Sequence, residues 1–398
     1  MLPETGSRQA YPTPCFREVV LFFPCEETFR KSEDKLNRLW WREEKTDRLQ
    51  FRTLANLVER EGKLIQEHVG KKAQAILQSN GFTPEGVLME QKQACEQRAP
   101  EAFLAQETVC QLIEALNAEN APERHIDVWE VQETSEDPDQ VKANISLDDV
   151  CCKKQKASGR KKGSPPKEKK ERITNTLAPI QSGAGETSTL NSATVTDMML
   201  LVLAFLVHNG LMRRAGPIVF FTDGARDLRG AIEHLFGFVP FKIILDWYHL
   251  EKKCKDLLSM AINGKQVKNQ LLTELLAWLW LGKVDRAVQV LRDARPETIK
   301  NRKELENLIN SFERKRSCIP CYALRKKLGL RLSSNPVEKA NDVVVSNRQK
   351  QNGMSWSADG STSLATLTTV RRNSEDRNWL LKHDISFQFH ADTAKSAA

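Results

Sequence analysis

Acidic residues follow directly on several apolar segments of this sequence. Asp148 comes after the alternating run that ends at Leu147, Asp223 ends the apolar stretch "GPIVFFTD", and Asp246 ends "FKIILD". Glu338 stands two residues after Pro336, in a stretch that predicts the first turn of a helix. Carboxylates at the ends of buried segments can bind metal ions or handle protons, so these four are the candidates for chemistry.

The apolar runs before Asp148 and Asp223 predict two strands that could lie side by side in one sheet, with their carboxylates at one edge. Glu338 on a later helix could complete a triad. Three carboxylates within a few ångströms repel one another, so the arrangement calls for divalent cations. Mg²⁺ binds oxygen ligands and keeps positions for water and phosphate oxygens. Two such ions, about 3.5–4 Å apart, can stabilise both the attacking and the leaving oxygen of phosphodiester cleavage.

Each acid taken singly also has an ordinary structural explanation. Asp223 followed by Gly224 is a common turn after a strand. Glu338 could simply stabilise the positive end of a helix dipole. Asp148 and Asp149 could start a loop, and Asp246 could be a turn residue. The combination, rather than any one residue, favours Mg²⁺-dependent phosphoryl transfer, with Mn²⁺ as a substitute ion.

The composition favours a nucleic-acid partner. The chain has 398 residues, 60 Lys and Arg against 52 Asp and Glu, and a formal net charge of +8. A basic balance of this kind favours an anionic partner, with nucleic acid ahead of a membrane surface. The nine cysteines are an odd number, and the first residues have no basic region followed by an apolar core, so we expect a reducing cytoplasm. The longest apolar run, 198–207, is about half of a membrane span and predicts a buried helix.

The pattern of apolar residues and breakers divides the chain into segments. Residues 31–122 have helical periodicity, and this domain could read DNA through a helix-turn-helix or could serve packing or dimerisation. The order strand, strand, strand, helix, strand, helix, strand then predicts a mixed α/β sheet. The segments are 1–30, unassigned; 31–122, helical; 123–250, first part of an α/β core; 251–330, an inserted helical subdomain; 331–375, the last helix region of the core; and 376–398, a polar tail.

A strongly basic stretch lies between the first two predicted strands. Lys153 to Arg172 contains ten basic and two acidic residues, so it cannot bury a core and should form the tip of a β-hairpin. Such a tip could lie against phosphates through Lys161 and Lys162, or could be only a solvated loop. Basic residues near the acids in sequence are further candidates for DNA phosphate contacts, although solvated helix faces have the same composition: Arg226, Arg229, Arg348 and Lys350. The aromatic residues Trp247, Tyr248 and Trp356 could stack on a base or could belong to the core.

Four stretches together carry a family resemblance: "ISLDDVCCKKQK", "FFTDGARDLRGAI", "IILDWYHLEK" and "SSNPVEKANDVVVSNRQKQNGMSW". Over residues 140–372 the chain resembles DDE transposases of bacterial insertion sequences, in the branch related to Mutator-like transposases. The resemblance implies an RNase H-like core with a helical insertion between the second Asp and the Glu. It also implies that Asp148, Asp223 and Glu338 are the metal ligands. Asp149 stands where the family pattern has Gly and is an alternative first ligand.

The resemblance also places an Asp-x-x-His element near the catalytic site, here Asp246 and His249. His249 could contact a phosphate, orient a carboxylate, or be a structural histidine. The implied activity is cleavage of DNA at the ends of an insertion sequence, followed by attack of the freed 3′-hydroxyl on target DNA. Two ends must be brought together, so a homodimer or larger assembly is expected, associated with the nucleoid of a bacterial cytoplasm. Two alternatives stay open: a non-catalytic DNA-binding relic, and an RNase H-like nuclease without strand transfer.

Overall fold

The computed structural model describes residues 13–41, 48–89, 104–131, 137–155, 171–213 and 216–390. These residues form a mixed six-stranded β-sheet with helices packed around it. The chain is therefore an α/β protein, as the sequence predicted. The strands are β1 (Ala143–Ser146), β2 (Asp148–Lys153), β3 (Arg172–Ser182), β4 (Thr187–Ser192), β5 (Ile218–Thr222) and β6 (Phe241–Leu245).

The strands β1 and β2 act as one long strand that is interrupted at Leu147. Both pair antiparallel with β3 in the same register, because Ala143 lies opposite Ser182 and Asp148 lies opposite Leu177. On its other side β3 pairs antiparallel with β4. The first part of the sheet is therefore an antiparallel meander, which agrees with the strand order read from the sequence.

The other half of the sheet is parallel. The strand β5 lies between β1 and β6 and is parallel to both. Ser146 lies opposite Phe221 in the parallel pair. Asp148 lies two residues after Ser146, and Asp223 lies two residues after Phe221, so the two acids are at the same level of the sheet. Parallel neighbours present their carboxyl ends at the same edge, and this register therefore brings the two acids to one edge of the sheet.

Helices account for most of the remaining described residues. They are α1 (Pro14–Glu26), α2 (Phe29–Leu39), α3 (Phe51–Ser79), α4 (Gln106–Ala118), α5 (Val128–Val131), α6 (Val195–His208), α7 (Arg226–Phe236), α8 (Trp247–Ala261), α9 (Lys265–Trp280), α10 (Val284–Arg292), α11 (Arg302–Lys315), α12 (Tyr322–Lys327), α13 (Asn335–Asn341), α14 (Ala358–Arg372) and α15 (Asp376–Lys382). A π-helical stretch, Asp342–Lys350, continues α13 without a break.

The core is built on the strand and helix that the sequence identified as most apolar. Every residue of β5 is buried, as expected for a strand with both faces covered. The apolar run at 198–207 lies in α6, which packs against the sheet as a buried helix. None of the helices in the described part of the chain is both long enough and apolar enough to cross a lipid bilayer.

Two terminal regions differ from the expectation. The helix α1 lies within the segment that the sequence left unassigned, because its apolar face is short and is interrupted by Pro24. The N-terminal helices do not enclose a core of their own: Leu54 and Val58 of α3 belong to one buried cluster with Val337 and Leu364. Their packing against α14 favours the packing role that the sequence had left open for this region.

The C-terminal segment is also more ordered than its composition suggests. It forms α15, and the buried side chains Ile385 and Phe387 follow it. Thr187 of β4 then pairs with His390. Residues 376–390, the first part of the predicted polar tail, therefore dock on the fold, because a few spaced apolar side chains are buried there. Residues 391–398 lie outside the described residues.

The crossing of α3 and α14 depends on a glycine in α3. A Cβ added to Gly62 would lie 2.5 Å from the Ser363 Cα of α14 and 2.7 Å from its carbonyl oxygen. Those are backbone atoms, which cannot move as a side-chain tip can. On the same helix, a Cβ on Gly70 would meet nothing within 4 Å.

We therefore expect opposite effects from the same substitution at these two glycines. Gly62→Ala should lower the free energy of unfolding by about 2 kcal/mol, because the helices must separate. Gly70→Ala should raise it by up to about 1 kcal/mol, since alanine favours the helix. Urea denaturation followed by circular dichroism measures both, and equal effects at the two positions would contradict the crossing described.

Candidate carboxylate site at the sheet edge

Asp148 is the most enclosed of the three acids predicted to act together. It begins β2, is half-buried, and its Oδ2 accepts a hydrogen bond from Asn341 Nδ2 at 2.7 Å. Burial raises the pKa of Asp148, and the negative charges of Glu338 and Asp223 raise it further, against hydrogen bonds from the Asp149 backbone and Asn341. The three carboxylates therefore share one electrostatic environment although they come from three separate stretches of sequence.

Asp149 occupies a different environment. Successive side chains of a strand point to opposite faces, and Asp149 is exposed and accepts a hydrogen bond from Thr176 Oγ1 at 2.6 Å. The structure thus brings Asp148, rather than Asp149, towards Glu338 and Asp223.

Asp223 lies in the turn that follows β5. It is exposed, and its Oδ1 accepts a hydrogen bond from the backbone of Ala225 at 2.8 Å. Gly224 has a φ of 78°, in the left-handed region. A Cβ on Gly224 would lie 2.3 Å from Lys315 Nζ, so glycine both allows this turn and leaves room for the lysine.

Lys315 joins the inserted helices to this turn. It is the last residue of α11, and its Nζ donates a hydrogen bond to the carbonyl oxygen of Asp223 at 3.1 Å. Burial lowers the pKa of Lys315 to about 8, with the charge of Lys253 acting in the same direction and Asp223 opposing it. A partly buried cation thus fixes the backbone that carries Asp223.

Glu338 lies in the first turn of α13, as predicted, and its side chain is 55% exposed. Its Oε1 is 3.4 Å from His249 Nε2, and His249 Nδ1 is 3.2 Å from Asp246 Oδ1. The three residues therefore form a row from a buried acid, through an imidazole, to an exposed acid. Of the roles left open for His249, this geometry matches the orientation of a carboxylate.

Asp246 is the buried end of that row, with 2% of its surface exposed. It accepts hydrogen bonds from the backbone of His249 at 2.8 Å, from Ser334 Oγ at 2.9 Å, and from the Ser334 backbone N–H. Burial by itself would raise the pKa of Asp246, but the His249 imidazole and then these donors outweigh it and lower the pKa. The pKa of His249 is raised, mainly by Asp246 and also by Glu338 and Asp148.

Ser334 links the start of α13 to the buried carboxylate. It occupies the N-cap position of α13 but makes no side-chain capping bond to the helix. Its hydroxyl donates to Asp246, and a charged acceptor of this kind forms a strong hydrogen bond.

Arg348 does not occupy the position expected of a phosphate contact on the surface. It is 4% exposed, and its Nε donates to the Pro24 carbonyl oxygen at 2.6 Å. Burial lowers its pKa to about 10. Arg348 is therefore not a solvated surface cation: the π-helical stretch turns this side chain inwards, towards α1.

The other predicted DNA contacts have mixed outcomes. Arg229 binds within the protein, because its Nε lies 2.7 Å from Glu233 Oε1 and its Nη1 donates to the Arg314 carbonyl oxygen at 3.0 Å. Lys350 is exposed at the end of the π-helical stretch. Arg226 begins α7, but its side chain lies outside the described residues, as do Lys161 and Lys162.

The donor set suits Mg²⁺ in chemical type. Asp148, Asp223 and Glu338 offer carboxylate oxygens, which are the ligands that Mg²⁺ prefers, and their mutual repulsion is what a cation would relieve. In the described ranges, however, no three His, Cys, Asp or Glu side chains are close enough together to hold a metal ion between them. Glu338 lies against His249 and is the exposed member, so binding would require its side chain to turn towards Asp148.

Sequence reasoning missed three residues of this site. Asn341 follows Glu338 by three positions, which places both on one helix face, and this spacing was the available signal. Ser334 and Lys315 are brought in by folding alone. A scan against models of known protein families matched none of them, and a search of curated proteins gave no significant match.

The buried carboxylate leads to a stability prediction. Asp246→Asn should lower the free energy of unfolding at pH 7 by about 2–3 kcal/mol, because a charged acceptor of several hydrogen bonds is lost. Asp149→Asn, at an exposed acid, should change it by less than about 0.5 kcal/mol.

The comparison of wild type with Asp246→Asn also tests how the free energy of unfolding depends on pH. The folded-state pKa of Asp246 is lowered from its ordinary value of 3.8, so its contribution is present above that pH and is lost as the pH falls through the folded pKa. The stability difference between wild type and Asp246→Asn should therefore shrink below about pH 4. A difference that stays constant in acid would contradict the hydrogen bonding described.

Proposed function

We propose that this protein is a DDE-type DNA transposase with an RNase H-like core. It would cleave DNA at the ends of an insertion sequence and transfer the freed strand into target DNA, with Mg²⁺ or Mn²⁺. The observation that carries the proposal is that three acids widely separated in sequence approach one edge of the sheet. Asp148 and Asp223 follow neighbouring parallel strands, and Glu338 lies on the helix whose Asn341 binds Asp148, near enough for its charge to act on Asp148.

The sheet supports the same proposal. An antiparallel meander followed by two parallel strands is what the family resemblance implies for the core. The first acid follows the first strand of the meander, and the second follows the parallel strand beside it. The helices α9 to α12 lie between the second acid and Glu338, where the resemblance implies an insertion.

The divalent ions would activate the attacking oxygen and neutralise charge on the phosphate. The chain's own residues would supply placement and electrostatic balance. Asn341 holds Asp148 by a hydrogen bond, and the row from Asp246 through His249 holds Glu338. Lys315 fixes the turn at Asp223.

The partner is proposed to be DNA on the basis of charge and chemistry. A net charge of +8 and the basic segment that follows β2 would attract a polyanion. Bringing two element ends together would require a homodimer or a larger assembly on DNA. The proposed location is the nucleoid of a bacterial cytoplasm.

Cleavage of DNA that carries the element's own ends tests the proposal. With Mg²⁺ present, wild-type protein should cut at the ends and join the freed strand to a second DNA, and chelation should stop both. Asp223→Ala, Asp148→Asn and Glu338→Gln should each reduce cutting by a factor of about 10³. Asp149→Asn should cut like wild type, since this acid faces away from the site.

The result distinguishes a transposase from a nuclease and from a DNA-binding relic. Cutting without joining would identify a nuclease, and end binding without any cutting would identify a DNA-binding relic. If Asp149→Asn were inactive while Asp148→Asn remained active, the assignment of the first acid would be overturned.

The contact of α11 with the Asp223 turn makes a further prediction. Lys315→Met should reduce cutting by about tenfold, because the turn loses the donor that fixes it. Lys303→Met changes an exposed lysine of the same helix and should cut like wild type. Equal rates for the two variants would show that the inserted helices do not position Asp223.

A further inference from the structure

A cleft of about 560 Å³ lies where the N-terminal helices meet the far end of β2. Aromatic and basic side chains form much of its wall. We call it the aromatic cleft and define it by Phe29, Arg30, Phe51, Arg348 and Trp356. None of these residues belongs to the carboxylate site.

Arg348 is the unusual member of this wall. Its guanidinium carbon lies 5.2 Å from the centre of the Phe29 ring and 5.0 Å from that of Trp356. Its Nε and Nη1 have partners in Pro24 and Met354, but its buried Nη2 has no hydrogen-bond partner among the residues that the structure describes. A buried donor without an acceptor costs free energy, and a ligand that brings an acceptor into the cleft would remove that cost.

The rest of the wall suits a ring and an anion together. Phe29 and Phe51 are partly exposed, and the guanidinium of the exposed Arg30 lies 5.2 Å from the centre of the Phe51 ring. Hydroxyl groups of Thr28, Ser355 and Ser357 also line the cleft. The one carboxylate among the described residues of the wall, Glu59, lies 3.3 Å from Lys63 Nζ. Aromatic faces next to arginines are the means by which proteins bind unpaired bases and their phosphates.

The cleft is connected to the carboxylate site through two elements. Asp148 begins β2, and just past the other end of β2 the backbone N–H of Gln155 donates to the Trp356 carbonyl oxygen at 2.7 Å. Seven residues of extended chain span about 23 Å. A base-stacked DNA strand advances about 3.4 Å per nucleotide and an unstacked strand advances further, so at most about seven nucleotides separate the two places. The helix that carries Glu338 also continues to Arg348.

We propose that the aromatic cleft binds an unpaired nucleotide of a DNA strand, at most about seven nucleotides from the phosphate bound at the carboxylates. The base lies against Phe29 and Phe51, and its phosphate faces Arg30 and Arg348. This inference rests on the proposed function, because it takes DNA as the ligand. It adds a second site, which binds the DNA only where the two strands have separated near the position of cleavage.

The test uses the full chain and a DNA duplex with a single-stranded tail, without divalent cations. A fluorescent adenine analogue is placed in turn at each tail position, and its emission is quenched where the base stacks. We expect quenching at one preferred tail position, within about seven nucleotides of the paired region. A fully paired duplex of the same sequence should show none.

Two variants and one control locate the effect. Arg30→Ala should weaken binding of the tailed DNA about tenfold, and Phe29→Leu should abolish most of the quenching while it keeps the apolar volume. Arg38→Ala removes an exposed arginine of the same helix outside the cleft and should behave like wild type.

Each other outcome overturns the inference. Quenching that survives both cleft variants places the base elsewhere. Weaker binding of Arg30→Ala without any quenching in wild type identifies a site for phosphate alone. Because the assay contains no divalent cation, it is independent of cleavage: a protein that cuts but shows no quenching refutes the cleft only, and one that shows quenching but never cuts refutes the proposed function only.

Discussion

The arrangement of the site depends on one buried charge, the carboxylate of Asp246. It is placed where β6 ends and α8 begins, and it accepts hydrogen bonds from both α8 and the residue that precedes α13. Without those donors, an ionised carboxylate at 2% exposure would be costly. With them, Asp246 holds the start of the helix that carries Glu338 against the helix that carries His249. About eighty residues of inserted chain separate these two helices in sequence, and the hydrogen bonds to Asp246 offset the entropy cost of closing that long loop.

The sequence alone predicted those strands and helices whose burial gives a local pattern of apolar residues. The near-continuous apolar run of β5 and the alternation before Asp148 predicted strands, and the apolar run of α6 predicted a buried helix, because burial on one or two faces has a visible period. The positions of Asp223 and Glu338 followed from strand and helix ends. The choice between Asp148 and Asp149 did not, since it depends on which face of β2 meets α13, and pairing with β3 sets that face.

The residues that escaped prediction are those whose role is set by long-range packing. Lys315 and Asp223 are ninety-two positions apart in the chain, and no local pattern connects them. Arg348 shows the same limit from the other side: the sequence marked it as a basic residue near an acid, but only the fold places it between two aromatic rings. The charge of a sequence indicates whether its partner is an anion or a cation, but the packing of the fold decides which basic side chains can contact that partner.

The π-helical stretch after Glu338 has a consequence for how this region can change. A residue added to or removed from an α-helix rotates everything beyond it by about 100°, and a π-helical segment already contains such an offset. Here the offset allows Asn341 to face Asp148 while Arg348 faces Pro24 and Gln349 accepts the indole N–H of Trp356. The number of residues between Glu338 and Trp356 is therefore fixed by these contacts. Inserting or deleting a residue in this stretch should break them, even at positions where one side chain can replace another.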